Sequence, residues 1–125
     1  MLAVDVRQPL RDGKTVLQGA SRWWRYGEQT VAEHGDFLLA FVEGQLCVGA
    51  FEIRGAERVT GEGGKYAFDL VPAARFEWAL LRHLPLTAGR NPARVLTGSA
   101  LREFLDSAPP QNAASLEPTV AEEYR

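Results

Sequence analysis

The stretch GASRWWRYG, residues 19–27, places two tryptophans between two arginines and is the densest group of ligand-binding side-chain types in this sequence. Aromatic rings stack on planar groups such as nucleic-acid bases, and each stacked base contributes about 1–3 kcal/mol of binding. Arginine adds positive charge for phosphates and a planar guanidinium that also stacks. We therefore take Arg22, Trp23, Trp24, Arg25 and Tyr26 as candidate base-binding residues. We expect at least one of the two tryptophans to be a ligand platform, with a core role as the alternative for each.

A second group of tryptophan and arginine lies in residues 72–84, where Pro72 is typical of the first turn of a helix. The spacing of apolar residues predicts a helix over this whole range. Arg75, Trp78 and Arg82 fall together on the face opposite the apolar stripe. We expect Trp78 to bind a base and the two arginines to contact phosphates. Burial of Trp78 beneath another element is the alternative.

A third group follows in the sequence RNPAR, residues 90–94. Arg90 and Arg94 are candidate phosphate contacts. The Asn91 amide offers both a donor and an acceptor, as reading the edge of a base requires. The dipeptide Asn91-Pro92 also favours a turn, so a plain loop role is the alternative for the asparagine.

The sequence contains no recognisable catalytic or metal-binding motif. Its two histidines and single cysteine have no metal-ligand spacing, and no serine stands in a Gly-x-Ser-x-Gly turn. The glycine-rich stretch GEGGK, residues 61–65, matches neither the phosphate-binding loop nor the dinucleotide pattern. We assign no catalytic residue, metal or cofactor. The sequence favours a protein that is not an enzyme, and a hydrolase assembled by tertiary contacts stays open.

Composition indicates one globular domain. The chain has 125 residues, 46% of them hydrophobic, and a net charge of −2. It has no apolar run of membrane-spanning length and no secretory leader, and its lone Cys47 is typical of a reducing compartment, so we expect a cytoplasmic protein. Residues 1–26 and 71–102 are basic, whereas 27–70 and 103–125 are acidic. If the two basic blocks share a face, the protein presents a positive patch to phosphates.

The candidate binding residues must be positioned by secondary structure, and the sequence predicts strands and short helices along the chain. Strands are predicted near residues 2–6, 16–18, 37–42, 46–53, 66–71 and 93–96, with helices at 28–34, at 72–84 and from Ser99. The hairpin 37–53 and the strand 66–71 should be consecutive antiparallel strands of one curved sheet. Gly49 inside the hairpin indicates a bulge or a close backbone approach. This order predicts an α+β fold whose sheet curls into a partial barrel.

The stretch TVAEHGDFLLAFVEGQLCVGAFEI, together with NPARV at 91–95, resembles PUA-like domains, in particular their EVE and YTH branches. The resemblance covers roughly residues 19–105. It implies a mostly antiparallel pseudobarrel of five or six strands, flanked by short helices, that binds nucleic acid and takes a modified or flipped base into an aromatic pocket. The related ASCH branch carries a Gly-x-Lys-x-x-Glu-x-Arg motif. That motif is missing here because Lys14 follows Gly13 directly, so the ASCH catalytic activities are not expected.

Two functions are consistent with these observations. The first is a nucleic-acid reader, for DNA or RNA, built on residues 1–108 as a single PUA-like domain. The second is an interaction domain, in which the exposed aromatic surface binds a partner protein or forms a homodimer. The Pro/Ala/Glu-rich tail, residues 109–125, is either disordered or docked as a short helix from Pro118.

Overall fold

A computed structural model describes residues 1–61, 63–84 and 91–109. Within these residues six strands form one sheet, and short helices flank it. The strands are β1 (Leu2–Asp5), β2 (Arg22–Arg25), β3 (Phe37–Val42), β4 (Leu46–Arg58), β5 (Lys65–Pro72) and β6 (Ala93–Val95). The helices are α1 (Arg7–Arg11), α2 (Val16–Ser21), α3 (Glu28–His34) and α4 (Gly98–Asp106), with 3₁₀ turns at Glu43–Gln45 and Ala74–Ala79. None of the helices in this part of the chain is long and apolar enough to cross a membrane.

The sheet has the strand order β2-β5-β4-β3-β1-β6 and curves into a nearly closed, barrel-like shape. Only β1 and β3 run parallel among these neighbours, and the other pairs are antiparallel. Tyr26, just beyond β2, links the two ends of the curve. Its buried hydroxyl lies 2.8 Å from the Arg94 carbonyl oxygen on β6 and 3.3 Å from the Ala3 carbonyl oxygen on β1. The predicted α+β pseudobarrel is therefore confirmed.

The hairpin predicted at 37–53 is present, and β5 continues the antiparallel order as predicted. The pairing of β3 with β4 shifts between Ala40 and Phe41, which leaves Val48 as an extra residue in a bulge. Gly49 lies beside that bulge. A Cβ atom there would stand 2.7 Å from the Phe51 ring and 2.8 Å from the Val16 side chain, so the close approach predicted from the glycine is also confirmed.

The central strands are apolar throughout because both faces of the sheet are buried. Leu38 and Ala40 of β3 face the inner core, where Trp24, Tyr66 and Phe68 also lie. The alternate residues Leu39 and Phe41 face an outer core, closed by the 3₁₀ turn Ala74–Ala79 and by Phe104 of α4. A strand covered on both sides loses the usual apolar–polar alternation. This double burial explains the uninterrupted apolar run FLLAFV.

The predicted strand at 16–18 is wrong, since these residues begin α2. The Thr15 hydroxyl accepts a hydrogen bond from the Gln18 backbone N–H, and the Gln18 side chain accepts one from the Thr15 N–H. This reciprocal capping box satisfies two donors that the first turn of a helix leaves unpaired. The capping box therefore stabilises a helix at residues 16–18, although the short apolar pair Val16-Leu17 is typical of a strand.

The predicted helix over 72–84 is also wrong. Only the 3₁₀ turn Ala74–Ala79 forms, and Leu81 then adopts a left-handed conformation with φ of 65°. The segment 81–84 runs along β4 instead: the Leu81 N–H donates to the Cys47 carbonyl, and the Cys47 N–H donates to the Arg82 carbonyl. His83 is exposed and pairs with Leu46 across an isolated β-bridge, whereas a helix over 72–84 would have placed it on the apolar face. The backbone of 81–84 thus gains its hydrogen bonds from β4 rather than from a helix.

The N-cap of the final helix is Thr97 and not the predicted Ser99, so α4 begins at Gly98, two residues earlier than the prediction implies. The expectation that the tail docks as a helix from Pro118 falls on residues 110–125, which lie outside the described ranges.

We predict that Tyr26→Phe lowers the free energy of unfolding by about 1–2 kcal/mol, because the one hydroxyl proton shared by the Arg94 and Ala3 carbonyl oxygens is lost. Chemical denaturation measures the change. Tyr66→Phe is the matched control: Tyr66 is equally buried, but its hydroxyl makes no hydrogen bond within the described residues. Equal losses from the two substitutions would contradict a role for Tyr26 in closing the barrel.

Candidate functional site

The RWWR segment forms β2, an edge strand whose register against β5 is broken by a bulge. Arg22 lies opposite Ala67 and Trp24 opposite Tyr66, so Trp23 is the extra residue. Successive residues of a regular strand alternate between its two faces, and a bulge re-aims the side chains around it. Here the bulge leaves Arg22, Trp23 and Arg25 exposed while Trp24 is buried.

Trp24 and Tyr26 are core residues, which corrects their prediction as base-binding residues. Trp24 is only 7% exposed, and its indole N–H donates to the Ala20 carbonyl at 3.0 Å. Tyr26 is 8% exposed, its hydroxyl holds the two ends of the sheet together, and burial raises its pKa well above the ordinary tyrosine value. Both aromatic side chains thus have their polar atoms satisfied inside the fold.

Trp23, by contrast, is 48% exposed and lines a concave surface. Together with Lys14, Gln18 and Arg22 it encloses a cavity of 370 Å³, which we call the Trp23 pocket. A larger depression of 640 Å³, the α2 groove, adjoins it between α2 and residues 55–57 and 67–70 of β4 and β5. Gln18 and Arg22 line both, so the two cavities meet at these side chains.

The two cavities differ in charge. Within residues 1–61, 63–84 and 91–109, Lys14 and Arg22 line the Trp23 pocket without a carboxylate beside them in the lining, and neither makes an ion pair or a side-chain hydrogen bond. The α2 groove combines apolar side chains such as Leu17 with the carboxylates Glu57 and Asp69. An anion is therefore favoured in the Trp23 pocket and disfavoured deeper in the groove.

Arg25 is exposed like Arg22, but its guanidinium donates to the Gly63 carbonyl. It thereby ties β2 to the loop between β4 and β5. One guanidinium carries five donors, so this contact leaves others for a ligand.

The second predicted group does not join this site. Trp78 is half-buried in the outer core, where it stacks on Phe104 with ring centroids 5.0 Å apart. The Arg75 guanidinium lies 5.1 Å from the centroid of the Phe76 ring and 5.4 Å from that of Phe37. Since the helix over 72–84 is absent, Arg75, Trp78 and Arg82 form no common stripe, although Arg82 remains exposed.

The third group has mainly local roles. The Asn91 side-chain oxygen accepts the Ala93 N–H at 3.0 Å, as in an ordinary turn, so the amide has a local structural role and its contact with a base stays a prediction. The Arg94 guanidinium lies 5.0 Å from the Phe41 ring centroid, and its Nε donates to the Asn91 carbonyl. Arg90 lies outside the described residues.

Neither Cys47 nor His83 is among the described residues that line the Trp23 pocket or the α2 groove. Cys47 is buried, and burial raises the pKa of its thiol to about 11. The exposed His83 has its Nδ1 2.8 Å from the Gly44 carbonyl oxygen, in a separate turn. In the part of the chain that the structure describes, no three His, Cys, Asp or Glu side chains are placed to hold a metal ion.

Lys14 and Gln18 are the site residues that the sequence analysis missed. The pattern Thr15-x-x-Gln18 is a capping box and could have predicted α2 and its start. Nothing in the sequence indicates that the start of α2 lies beside Trp23, because that proximity depends on how α2 packs against β5.

Comparison of the chain with protein-family models, with curated proteins and with solved structures gave no match. The resemblance to PUA-like domains therefore stays a prediction.

The two adjacent tryptophans provide a direct test of this assignment. We predict that Trp24→Ala lowers the free energy of unfolding by about 3–5 kcal/mol, as expected for a large core aromatic. Trp23→Ala should change it by less than about 1 kcal/mol, because about half of the ring is already in water. Thermal and denaturant unfolding of both variants measure the difference. A large loss from Trp23→Ala would place that side chain in the core and remove it as a platform.

Proposed function

We propose that this protein binds nucleic acid by stacking an unpaired base on Trp23 while Lys14 and Arg22 contact the phosphates beside it. The observation that carries the proposal is the bulge in β2, which holds a large aromatic ring at the surface next to two cations. Stacking on an exposed ring tolerates any base, since every base has a π-face, and the cations supply affinity that depends on salt.

The surroundings of Trp23 support this function over a purely structural role. Trp24 already fills the inner core at this end of the sheet, so the packing of β2 does not require the Trp23 ring. The Trp23 pocket is concave and positively charged, which suits a phosphate next to a planar group. The proposal uses one aromatic platform rather than a pocket with several aromatic walls, because Trp24 and Tyr26 are buried.

Titration of fluorescently labelled DNA and RNA decamers at low salt tests the proposal. Trp23→Ala should weaken binding by about 1–3 kcal/mol, which is roughly 5- to 150-fold, through the loss of one stacked base. Arg22→Ala should weaken binding and reduce the slope of log affinity against log salt by about 0.7, because one phosphate contact to a single strand is lost.

Leu105→Ala and Arg102→Ala are the matched controls, since both residues lie on α4 and are exposed. Leu105 is 45% exposed, close to the value for Trp23. Neither substitution should change binding by more than about twofold. If the wild type binds neither decamer at low salt, the proposed function is wrong. Self-association that depends on Trp23 and hardly on salt would then favour the interaction-domain alternative.

A further inference from the structure

The polar groups that line the Trp23 pocket are hydrogen-bond donors. The Lys14 ammonium, the Arg22 guanidinium and the Trp23 indole N–H can only donate. Among the described lining residues, Gln18 is the one whose side chain carries both a donor and an acceptor. The way in which its amide is held therefore decides which ligand groups the pocket can bind.

The capping box of α2 fixes that amide. The Gln18 Oε1 atom accepts the Thr15 backbone N–H at 2.9 Å, and the Thr15 hydroxyl accepts the Gln18 N–H at 3.1 Å. The Oε1 atom of Gln18 is thus already used as an acceptor by the first turn of α2. The Nε2 group makes no hydrogen bond within the described residues, so it is left to donate to a ligand.

The side chains that line the pocket among the described residues offer donors, two of them cationic, and such a set is complementary to an anion with several acceptor oxygens. A phosphodiester fits this description, and within residues 1–61, 63–84 and 91–109 the lining includes no Asp or Glu side chain. The adjoining α2 groove carries Glu57 and Asp69, which repel phosphate but not an uncharged base. The two cavities meet at Gln18 and Arg22, where a phosphate between two nucleotides would lie.

We infer that the Trp23 pocket is a phosphodiester site of a single strand, in which Gln18 Nε2 donates to a phosphate oxygen beside Lys14 and Arg22. One neighbouring base stacks on Trp23, and the base on the other side of the phosphate enters the α2 groove. This inference rests on the proposed function. It adds a specific role for Gln18, whose side chain both caps α2 and binds the ligand.

Gln18→Glu tests this role because it leaves the cap in place. Glutamate at this position of a capping box still accepts the Thr15 N–H, so the melting temperature should not fall. The Nε2 donor, however, becomes a carboxylate oxygen that repels phosphate. We expect the affinity for hexathymidylate, measured at constant salt, to fall by about tenfold or more.

Gln29→Glu is the matched control. It makes the same amide-to-carboxylate change on the exposed surface of α3, where it removes only the hydrogen bond from Gln29 to Glu33, and it should change the affinity by less than about twofold. A hexathymidylate analogue with neutral methylphosphonate linkages lacks the anionic oxygens. Its weak binding should be the same for the wild type and for Gln18→Glu. Inorganic phosphate should compete with hexathymidylate only in large excess.

The outcomes separate this inference from the proposed function. If Trp23→Ala weakens binding of hexathymidylate but Gln18→Glu does not, the phosphate site is wrong and base stacking stands. If Gln29→Glu weakens binding as strongly as Gln18→Glu, the effect is one of net charge and the inference is overturned. Competition by inorganic phosphate at the concentration of the hexamer would assign the pocket to free phosphate. Failure of the wild type to bind decamers at low salt would remove the proposed function itself.

Discussion

The register of β2 against β5 is the constraint on which both the core and the candidate site depend. Trp24 enters the inner core opposite Tyr66, and one residue earlier the bulge turns Trp23 outward. Without the extra residue, regular alternation would place Trp23 and Arg25 on the face opposite Arg22 and Trp24. One arginine would then share the buried face with Trp24, and an unpaired guanidinium inside the barrel would cost several kcal/mol. The bulge is thus what allows the sequence RWWR to be an edge strand of a closed core.

The sequence could predict those parts of the fold that depend on local pattern. The hairpin around Glu43-Gly44 and helix α3 were predictable because their apolar spacing and turn residues agree with their tertiary positions. Residues 72–84 were not, although their spacing fits a helix, because pairing with β4 supplies the backbone of 81–84 with other partners. At the site, the residue types in RWWRY indicated that one tryptophan would be exposed. Which of the two is exposed depends on the partner strand, which local sequence does not contain.

The arginines of the second basic block also show why residue type alone does not define a site. Arg75 and Arg94 lie over phenylalanine rings of the outer layer, where a guanidinium packs favourably on an aromatic face. Each of these two guanidiniums thus packs on an aromatic ring, and neither residue is among those that line the Trp23 pocket. Positive charge is concentrated in residues 1–26 and 71–102 of the sequence. In the fold, Arg22 of the first block lines the Trp23 pocket, whereas Arg75 and Arg94 of the second block pack on phenylalanine rings.

Helix α2 connects stability to the candidate site through a single side chain. It has six residues and is too short to be stable by itself, so it depends on its capping box and on packing against the inner core. The same capping box holds the Gln18 acceptor on the Thr15 N–H, while Gln18 lines the pocket with Arg22 and Trp23 and its Nε2 has no hydrogen-bond partner within the described residues. A change that breaks the cap would therefore alter the pocket even without touching its lining. The Thr15–Gln18 interaction stabilises α2 and also fixes which atoms of the Gln18 amide can bind a ligand. The Trp23 pocket therefore forms as described only when α2 is folded.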